Sequence, residues 1–261
     1  MGSFKDLAKL PGLAKAGLQV RTASEQQQAK RDDELRQRRE REEAAAASFL
    51  ASAPSYPWAR RATLAEVRAL LEEHALAFSI AGRGEIEAVI DPEALVGPGQ
   101  IADGDVAVDD LVLPREGSAL YVRGNLAVRR RLVQRFRAGA LVVVGSLRAH
   151  HLVTTGPIVV LGDLEVSGTL YGNSTNHATI VLGATRIATL IAAKRHLVSP
   201  LGDYAIETLV DPDGDAPNFE IFARTTPRSP RAIDPAIGDA HDASAIAEAL
   251  ATRDDVLTAP S

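Results

Sequence analysis

Gly104-Asp105-Val106-Ala107-Val108, Gly124-Asn125-Leu126-Ala127-Val128, Gly145-Ser146-Leu147-Arg148-Ala149, Gly162-Asp163-Leu164-Glu165-Val166 and Gly183-Ala184-Thr185-Arg186-Ile187 can be laid one above another, with Gly84-Glu85-Ile86-Glu87-Ala88 ahead of them in the same phase. The six glycines follow one another at intervals of 20, 20, 21, 17 and 21 residues. Each unit reads glycine, one small or polar residue, then apolar, any, apolar. A second apolar pair follows a few positions later: Leu111-Val112, Leu132-Val133, Leu152-Val153, Leu190-Ile191. Alternate apolar residues mark a strand with one face turned to a core, and glycine suits the tight corner where the chain leaves for the next face. Between the units run further β segments, Leu120-Tyr121-Val122, Leu141-Val142-Val143-Val144, Ile158-Val159-Val160-Leu161 and Thr179-Ile180-Val181-Leu182, so every turn carries two or three strands. One such unit cannot bury its apolar face, whereas stacked units share a continuous core. The pattern predicts a mainly β fold, a single-stranded β-helix or β-solenoid over residues 84–198. An antiparallel sandwich also offers many short strands, but its strands have no cause to repeat one register.

Outward from the repeat, residues 62–83 supply a helix and an entry strand. Thr63 and Glu66 have the spacing of a capping box, and Val67, Leu70 and Leu71 give the helix an apolar stripe that would cover the first coil. Residues 1–61 form an N-terminal arm and a charged helix. Pro11-Gly12 is expected to break any helix early in the arm, and Ser24 to Ala51 reads as one long polar helix rich in Gln, Arg, Glu and Ala. Pro54-Ser55-Tyr56-Pro57-Trp58 then reads as a break between this helix and the rest. Residues 199–261 form a turn region, where the repeat fades after Val198, and a short helix from Asp242 to Ala251 that would cap the far end.

The chain has 261 residues, 46% of them apolar, which suffices for a sizeable core without covalent staples. It has no cysteine. That excludes a disulfide framework and thiolate metal sites, and with no apolar leader near Met1 it points to a cytoplasmic location. No stretch reaches the eighteen or so apolar residues of a membrane span. The formal charge of −5 disfavours nucleic acid as a partner.

The segment Val160-Leu161-Gly162-Asp163-Leu164-Glu165-Val166, followed by Leu170-Tyr171-Gly172-Asn173, Asn176-His177 and Ile191-Ala192-Ala193-Lys194-Arg195-His196, resembles the repeat of bacterial right-handed β-helix proteins. It is similar to two groups: the bactofilins, which are polymer-forming scaffolds, and solenoids of bacterial toxin loci, where immunity proteins are common. The resemblance covers about half of the chain and implies a right-handed β-helix. Bactofilins resemble a bare solenoid that polymerises through exposed terminal coils. The two candidate capping helices depart from that pattern and imply a discrete binding protein, with self-association into a homo-oligomer left open.

No nucleophile elbow, P-loop, dinucleotide fingerprint or zinc-protease helix occurs, and the expectation is a non-catalytic protein without cofactor or metal. His150 and His151 are adjacent, and His177 and His196 stand 19 residues apart, close to one coil, so the latter two are candidates for a stacked pair or a metal site. Asp103 and Asp105 around Gly104 lack the partner carboxylates of a calcium loop. Arg129-Arg130-Arg131, with Arg135 and Arg137, form the one basic cluster of the repeat, without interleaved aromatic residues for stacking on bases. Arg31, Arg38 and Arg39 on the polar helix and Arg129, Arg130 and Arg131 on the solenoid are therefore the candidate partner-binding residues. The expected partner is a protein, a bacterial toxin under the immunity-type or adaptor reading. A bactofilin-like polymer is the alternative.

Overall fold

A computed structural model describes residues 11–74, 95–115, 117–214, 226 and 229–259. The chain divides into two compact units, one ending at Ser48 and one beginning at Phe49. Helix α1 (Pro11–Ser52) begins among the described residues at Pro11, ahead of the start expected at Ser24, and the stretch before the expected break at Pro11-Gly12 lies outside the described residues. Proline sits at its first position among the described residues, where the missing N–H would have no intrahelical acceptor and the fixed φ suits the helix. Along α1 the charges pair within the helix: Lys30 with Glu34 at 4.0 Å, Arg36 with Glu40 at 3.9 Å and Arg38 with Glu42 at 2.9 Å. Such i,i+4 pairs support a helix that presents no apolar stripe.

In the second unit strand β1 (Arg60–Ala62) is followed by helix α2 (Leu64–Glu73), where Thr63 and Glu66 form the expected reciprocal capping box. A solenoid of about six turns follows. The short strands β2 (Gly99–Ala102), β4 (Ala119–Val122), β6 (Leu141–Val143), β8 (Ile158–Val160), β10 (Ala178–Val181) and β12 (Leu197–Pro200) pair in parallel as one sheet. The longer β3 (Val106–Leu113), β5 (Leu126–Gln134), β7 (Leu147–Thr154), β9 (Leu164–Asn173), β11 (Thr185–Ala193) and β13 (Tyr204–Val210) pair in parallel as the other. Leu126, Leu147 and Leu164 stand in register, as do Leu132, Leu152, Leu170, Leu190 and Leu209, and all are buried in one bore. The repeat does not end at Val198: Gly202-Asp203-Tyr204-Ala205-Ile206 is a further unit, with Thr185 paired to Tyr204 and Ile187 to Ile206. Gly84-Glu85-Ile86-Glu87-Ala88 lies outside the described residues.

From Gly124 onward the glycines of the repeat serve close approach, not an unusual φ. Only Gly214 and Gly238 have positive φ among the described glycines. A Cβ on Gly162 would stand 2.7 Å from the backbone of Gly145, and one on Gly183 would stand 2.6 Å from the carbonyl of Gly162. The same glycines are joined by N–H to carbonyl bonds of 3.0 Å, Gly145 to Gly124, Gly162 to Gly145 and Gly183 to Gly162. The residue after each glycine completes the ladder. The Asp105 carboxylate accepts from the Asn125 N–H at 2.7 Å, the Asn125 side-chain Oδ1 from the Ser146 N–H at 2.9 Å, and the Asp163 carboxylate from the Ala184 N–H at 2.8 Å. Small and polar residues at that position are thus acceptors for the next coil's backbone.

Both outer faces of the solenoid are covered. Val67, Leu70 and Leu71 of α2 form one apolar cluster with Ile101, Tyr121, Val142 and Val159, the outward residues of the first sheet. Helix α3 (Ala243–Ala249), capped by Asp242, belongs to a second cluster in which Ile246, Leu250, Val256 and Leu257 join Val133, Val153, Tyr171 and Ile191. Its main strand contacts are with β7 and β9, so the helix expected to cap the far end lies along the side of the middle coils. Among the described residues the first end of the bore is met by Tyr56, Trp58 and Ala59, which pack against the core cluster. Tyr56 and Trp58 stack at 5.0 Å, the Tyr56 hydroxyl donates to the Val112 carbonyl at 3.0 Å, and Gln100 donates to the Pro54 carbonyl at 2.8 Å. The Pro-rich stretch is a plug, not a linker. β1 pairs antiparallel with β2 and occupies the edge of the first sheet. At the other end the Thr226 hydroxyl and the Ser229 N–H donate to the carbonyls of Ile206 and Leu209 on the edge strand β13.

Candidate partner-binding cleft

β5 carries an extra residue against each of its neighbours, seen as register shifts between Val108 and Asp110 of β3 and between Val128 and Arg131 of β5 itself. This irregularity holds the arginine triplet. Arg129 meets Asp109 of the preceding coil at 3.1 Å, Arg130 meets Asp110, and Arg131 meets Asp110 at 3.2 Å while donating to the Ala247 carbonyl of α3 at 2.9 Å. The Asp109-Asp110 pair one coil below answers the triplet, a match that the 20-residue offset makes visible in the sequence. Arg129 and Arg130 remain largely exposed, so their pairs contribute little to stability; Arg131 is the anchored member. Arg31, Arg38 and Arg39 are exposed on α1, with Arg38 paired to Glu42.

The structure also brings part of the basic cluster together with residues far from it in the sequence. The corner loops that follow β5, β7, β9 and β11 stack beside α3 and enclose a cleft of about 580 Å³. Its cationic residues are Arg131, Arg135, Arg137 and Lys194, against the carboxylates of Asp242 and Glu248. Arg135 and Lys194 have no ion pair among the described residues. Phe136, 59% exposed, stands at the cleft between the guanidinium of Arg115 at 5.9 Å and that of Arg137 at 5.5 Å from its ring centroid. Val112, 40% exposed, lines the same cleft. These are the two large apolar side chains most exposed on the solenoid among the described residues. Among the described residues three non-glycine residues hold positive φ, Arg137 at 59°, Lys194 at 50° and Arg195 at 60°. All three are cations in two of these corner loops, and each left-handed residue costs about 1 kcal/mol or more that the surrounding fold must supply.

Side chains behind the corner hold the loops in place. Gln134 donates to the carbonyls of Gly139 at 2.8 Å and Pro157 at 3.1 Å and accepts from the Thr154 hydroxyl, all within the bore. The Ser174 hydroxyl accepts from the N–H of Asn176 and of His177, and the Asp213 carboxylate accepts from the Lys194 N–H at 2.7 Å and faces His241 Nε2 at 3.1 Å. Asn173 donates to the Tyr171 hydroxyl at 2.8 Å and to the His241 carbonyl at 2.7 Å, which ties the loop after β9 to the segment before α3.

The histidines divide differently from the expectation. His196 is buried in the bore, its Nε2 3.1 Å from the Thr179 hydroxyl, and burial with neighbouring His177 pushes its pKa down to about 3. His177 lies exposed on a corner loop, its pKa lowered by partial burial. Among the described residues the one group of three metal-type donors is His150, His151 and Asp254. The Thr169 N–H donates to His151 Nδ1 at 3.0 Å, which places the ring proton on Nε2 and leaves no lone pair there for a cation. Burial, aided by His150, holds the His151 pKa down to about 4. The triplet therefore reads as a packed corner: His150 bonds the Ser167 hydroxyl at 2.9 Å, and a Cβ on Gly168 would meet the His151 ring at 2.7 Å.

Comparison of the chain with models of known families, with curated proteins and with solved structures gives no match. Among the described residues no helix is long and apolar enough to cross a membrane.

Proposed function

We propose that the chain is a non-catalytic, protein-binding solenoid that holds its partner at the corner-loop cleft. The observation that carries this reading is the exposed Phe136, set between two guanidinium groups beside Val112 at the mouth of the cleft. An aromatic residue with neighbouring arginines is the composition of interface hot spots, and it is a poor surface for a protein with no partner. The rigid corner behind it, with Gln134 and Thr154 bonded in the bore, supports low reorganisation on binding.

Within this reading the partner is a bacterial toxin and the chain an immunity-type or adaptor protein, a role supported by the resemblance of its repeat to solenoids of toxin loci. A bactofilin-like scaffold would need a bare coil at each end. The plug of Tyr56 and Trp58, the antiparallel β1 and the Thr226 and Ser229 bonds to β13 speak for a particle of finite size.

The test is affinity purification of the tagged chain from its own cells beside the double variant Arg135→Glu/Lys194→Glu. A single partner protein in about equimolar amount, lost with the variant, supports the reading, and relief of that partner's toxicity by the chain supports the toxin assignment. Recovery of the chain with itself alone, as long assemblies, contradicts both.

A further inference from the structure

We propose that the cleft recognises an extended acidic segment of its partner: two carboxylates about four residues apart, with one apolar side chain next to the first. This deepens the reading of the cleft as the partner site and rests on it. The geometry follows from the coil spacing. The loop bearing Arg135 and Arg137 follows β5 and the loop bearing Lys194 follows β11, three coils further along. Stacked coils are about 4.8 Å apart, so the two cationic ends of the cleft are separated by about 14 Å, which an extended chain rising about 3.4 Å per residue spans in about four residues.

The lining changes character along that path. At the first end, Arg135 and Arg137 flank Phe136, with Val112 beside them: cations for one carboxylate and an apolar surface for one side chain. The middle is lined by Thr155, Ser174 and Asn176, neutral groups that bond a peptide backbone without preferring a charge. At the far end stands Lys194, its backbone fixed by the Asp213 carboxylate and by a left-handed φ of 50°. The chain as a whole carries −5, so a cleft that sets Arg131, Arg135, Arg137 and Lys194 against only Asp242 and Glu248 is a local reversal of sign, and it selects acidic segments by charge complementarity. A carboxylate on a guanidinium gains two parallel hydrogen bonds at Arg135, whereas Lys194 offers a point charge, so the Arg135 end sets orientation. A nucleic-acid strand also carries anions at regular spacing, but beside the imidazoles of His177 and His241 the cleft lining has Phe136 and no Tyr or Trp, a weak platform for successive bases to stack.

The test titrates a blocked, fluorescently labelled hexapeptide into the full chain: leucine first, glutamates at its second and sixth positions, serine and glycine between. Three competitors accompany it: the same peptide with lysines for glutamates, one with the glutamates a single residue apart, and a twelve-residue oligothymidylate. The expected result is saturable binding to the first peptide, at least tenfold weaker for the lysine and short-spaced peptides, weakened tenfold or more by Arg135→Glu or Lys194→Glu and severalfold by Phe136→Ser, and falling as salt rises. Circular dichroism and melting of the three variants, all at exposed positions, check that the solenoid is intact. Absence of binding at low salt, equal binding of the lysine peptide, or insensitivity to the variants overturns the proposal. Tighter binding of the oligothymidylate, lost with the same variants, overturns it in favour of a nucleic-acid site. A stoichiometric partner protein captured through the cleft alongside a silent hexapeptide would sink the acidic-segment assignment and leave the protein-binding reading standing.

Discussion

Gly162→Ala and Gly104→Ala make a matched pair, because the two glycines hold the same place in the repeat but have different neighbours. A Cβ on Gly162 would stand 2.7 Å from the carbon and oxygen of Gly145 and 2.9 Å from the Ser146 nitrogen, all of it backbone. A Cβ on Gly104, in the first described coil, meets nothing within 4 Å. Neither residue has positive φ, so alanine can adopt either backbone. At Gly104 the substitution should be neutral, or stabilise by about 0.5 kcal/mol through the unfolded chain. At Gly162 coils three and four must part, as in an overpacked core, at a net cost of about 1–3 kcal/mol after that gain. For a unit of this size 1 kcal/mol moves the midpoint by about 2–4 °C, so the two variants should differ by roughly 3–10 °C in Tm by differential scanning calorimetry. Equal losses at the two positions would show that the glycines are kept for their conformation, and an unperturbed Gly162→Ala would show that the coils do not touch at this corner.

Three further outcomes follow from the same structure. Leu164→Asp places a carboxylate in the bore, where Leu164 is buried in register with Leu147, and should cost at least about 3 kcal/mol; unchanged melting and β-rich circular dichroism would refute the register. A chain beginning at Phe49 should keep the solenoid, its plug and its melting midpoint within a few degrees, and an insoluble or unfolded product would show that α1 is part of the fold. His151 and His196 are held neutral in the fold, with pKa values of about 4 and about 3, and protonate in the unfolded chain near 6.5. The unfolded state thus binds more protons below pH 6.5, so stability is full above that pH and falls as the pH drops, by up to about 2.7 kcal/mol per unit between pH 6 and 4, and continues to fall more slowly to about 3 as His196 alone contributes. Urea midpoints that stay flat between pH 7 and 4.5 in the wild type, or that are equally steep in His196→Gln, would contradict this.

The solenoid is legible because its code is short range and repeated: Leu126-x-Val128, Leu147-x-Ala149 and Leu164-x-Val166 state the inward face directly, and each restates the others. Gly202-Asp203-Tyr204 was harder to see, because Tyr204 stands where the other units have a smaller residue. The plug is not legible in the sequence, because Pro54, Pro57 and Trp58 have the composition of a linker, and only the long-range bonds from Tyr56 to Val112 and Gln100 to Pro54 reveal its role. Lateral packing of Ile246, Leu250, Val256 and Leu257 depends on which outward residues the coils leave apolar, such as Val133, Val153 and Ile191, and a tally of inward positions discards those. The cleft joins loops about twenty residues apart whose left-handed positions are Arg137, Lys194 and Arg195, not the Gly or Asn that signal a turn. Stacking the corner loops by the glycine intervals of 21, 17 and 21 residues would have placed Arg135, Gly156, Asn173 and Lys194 in one column.

The central claim, a closed solenoid that binds a partner and does not build a polymer, is tested most directly by sedimentation velocity of the purified full chain over a hundredfold range of concentration, with electron micrographs of the same samples. The account predicts one narrow boundary for a small particle made of the 27.7 kDa chain, unchanged with concentration, and fields without filaments. Boundaries that broaden and quicken as concentration rises, with unbranched filaments in the micrographs, would contradict it.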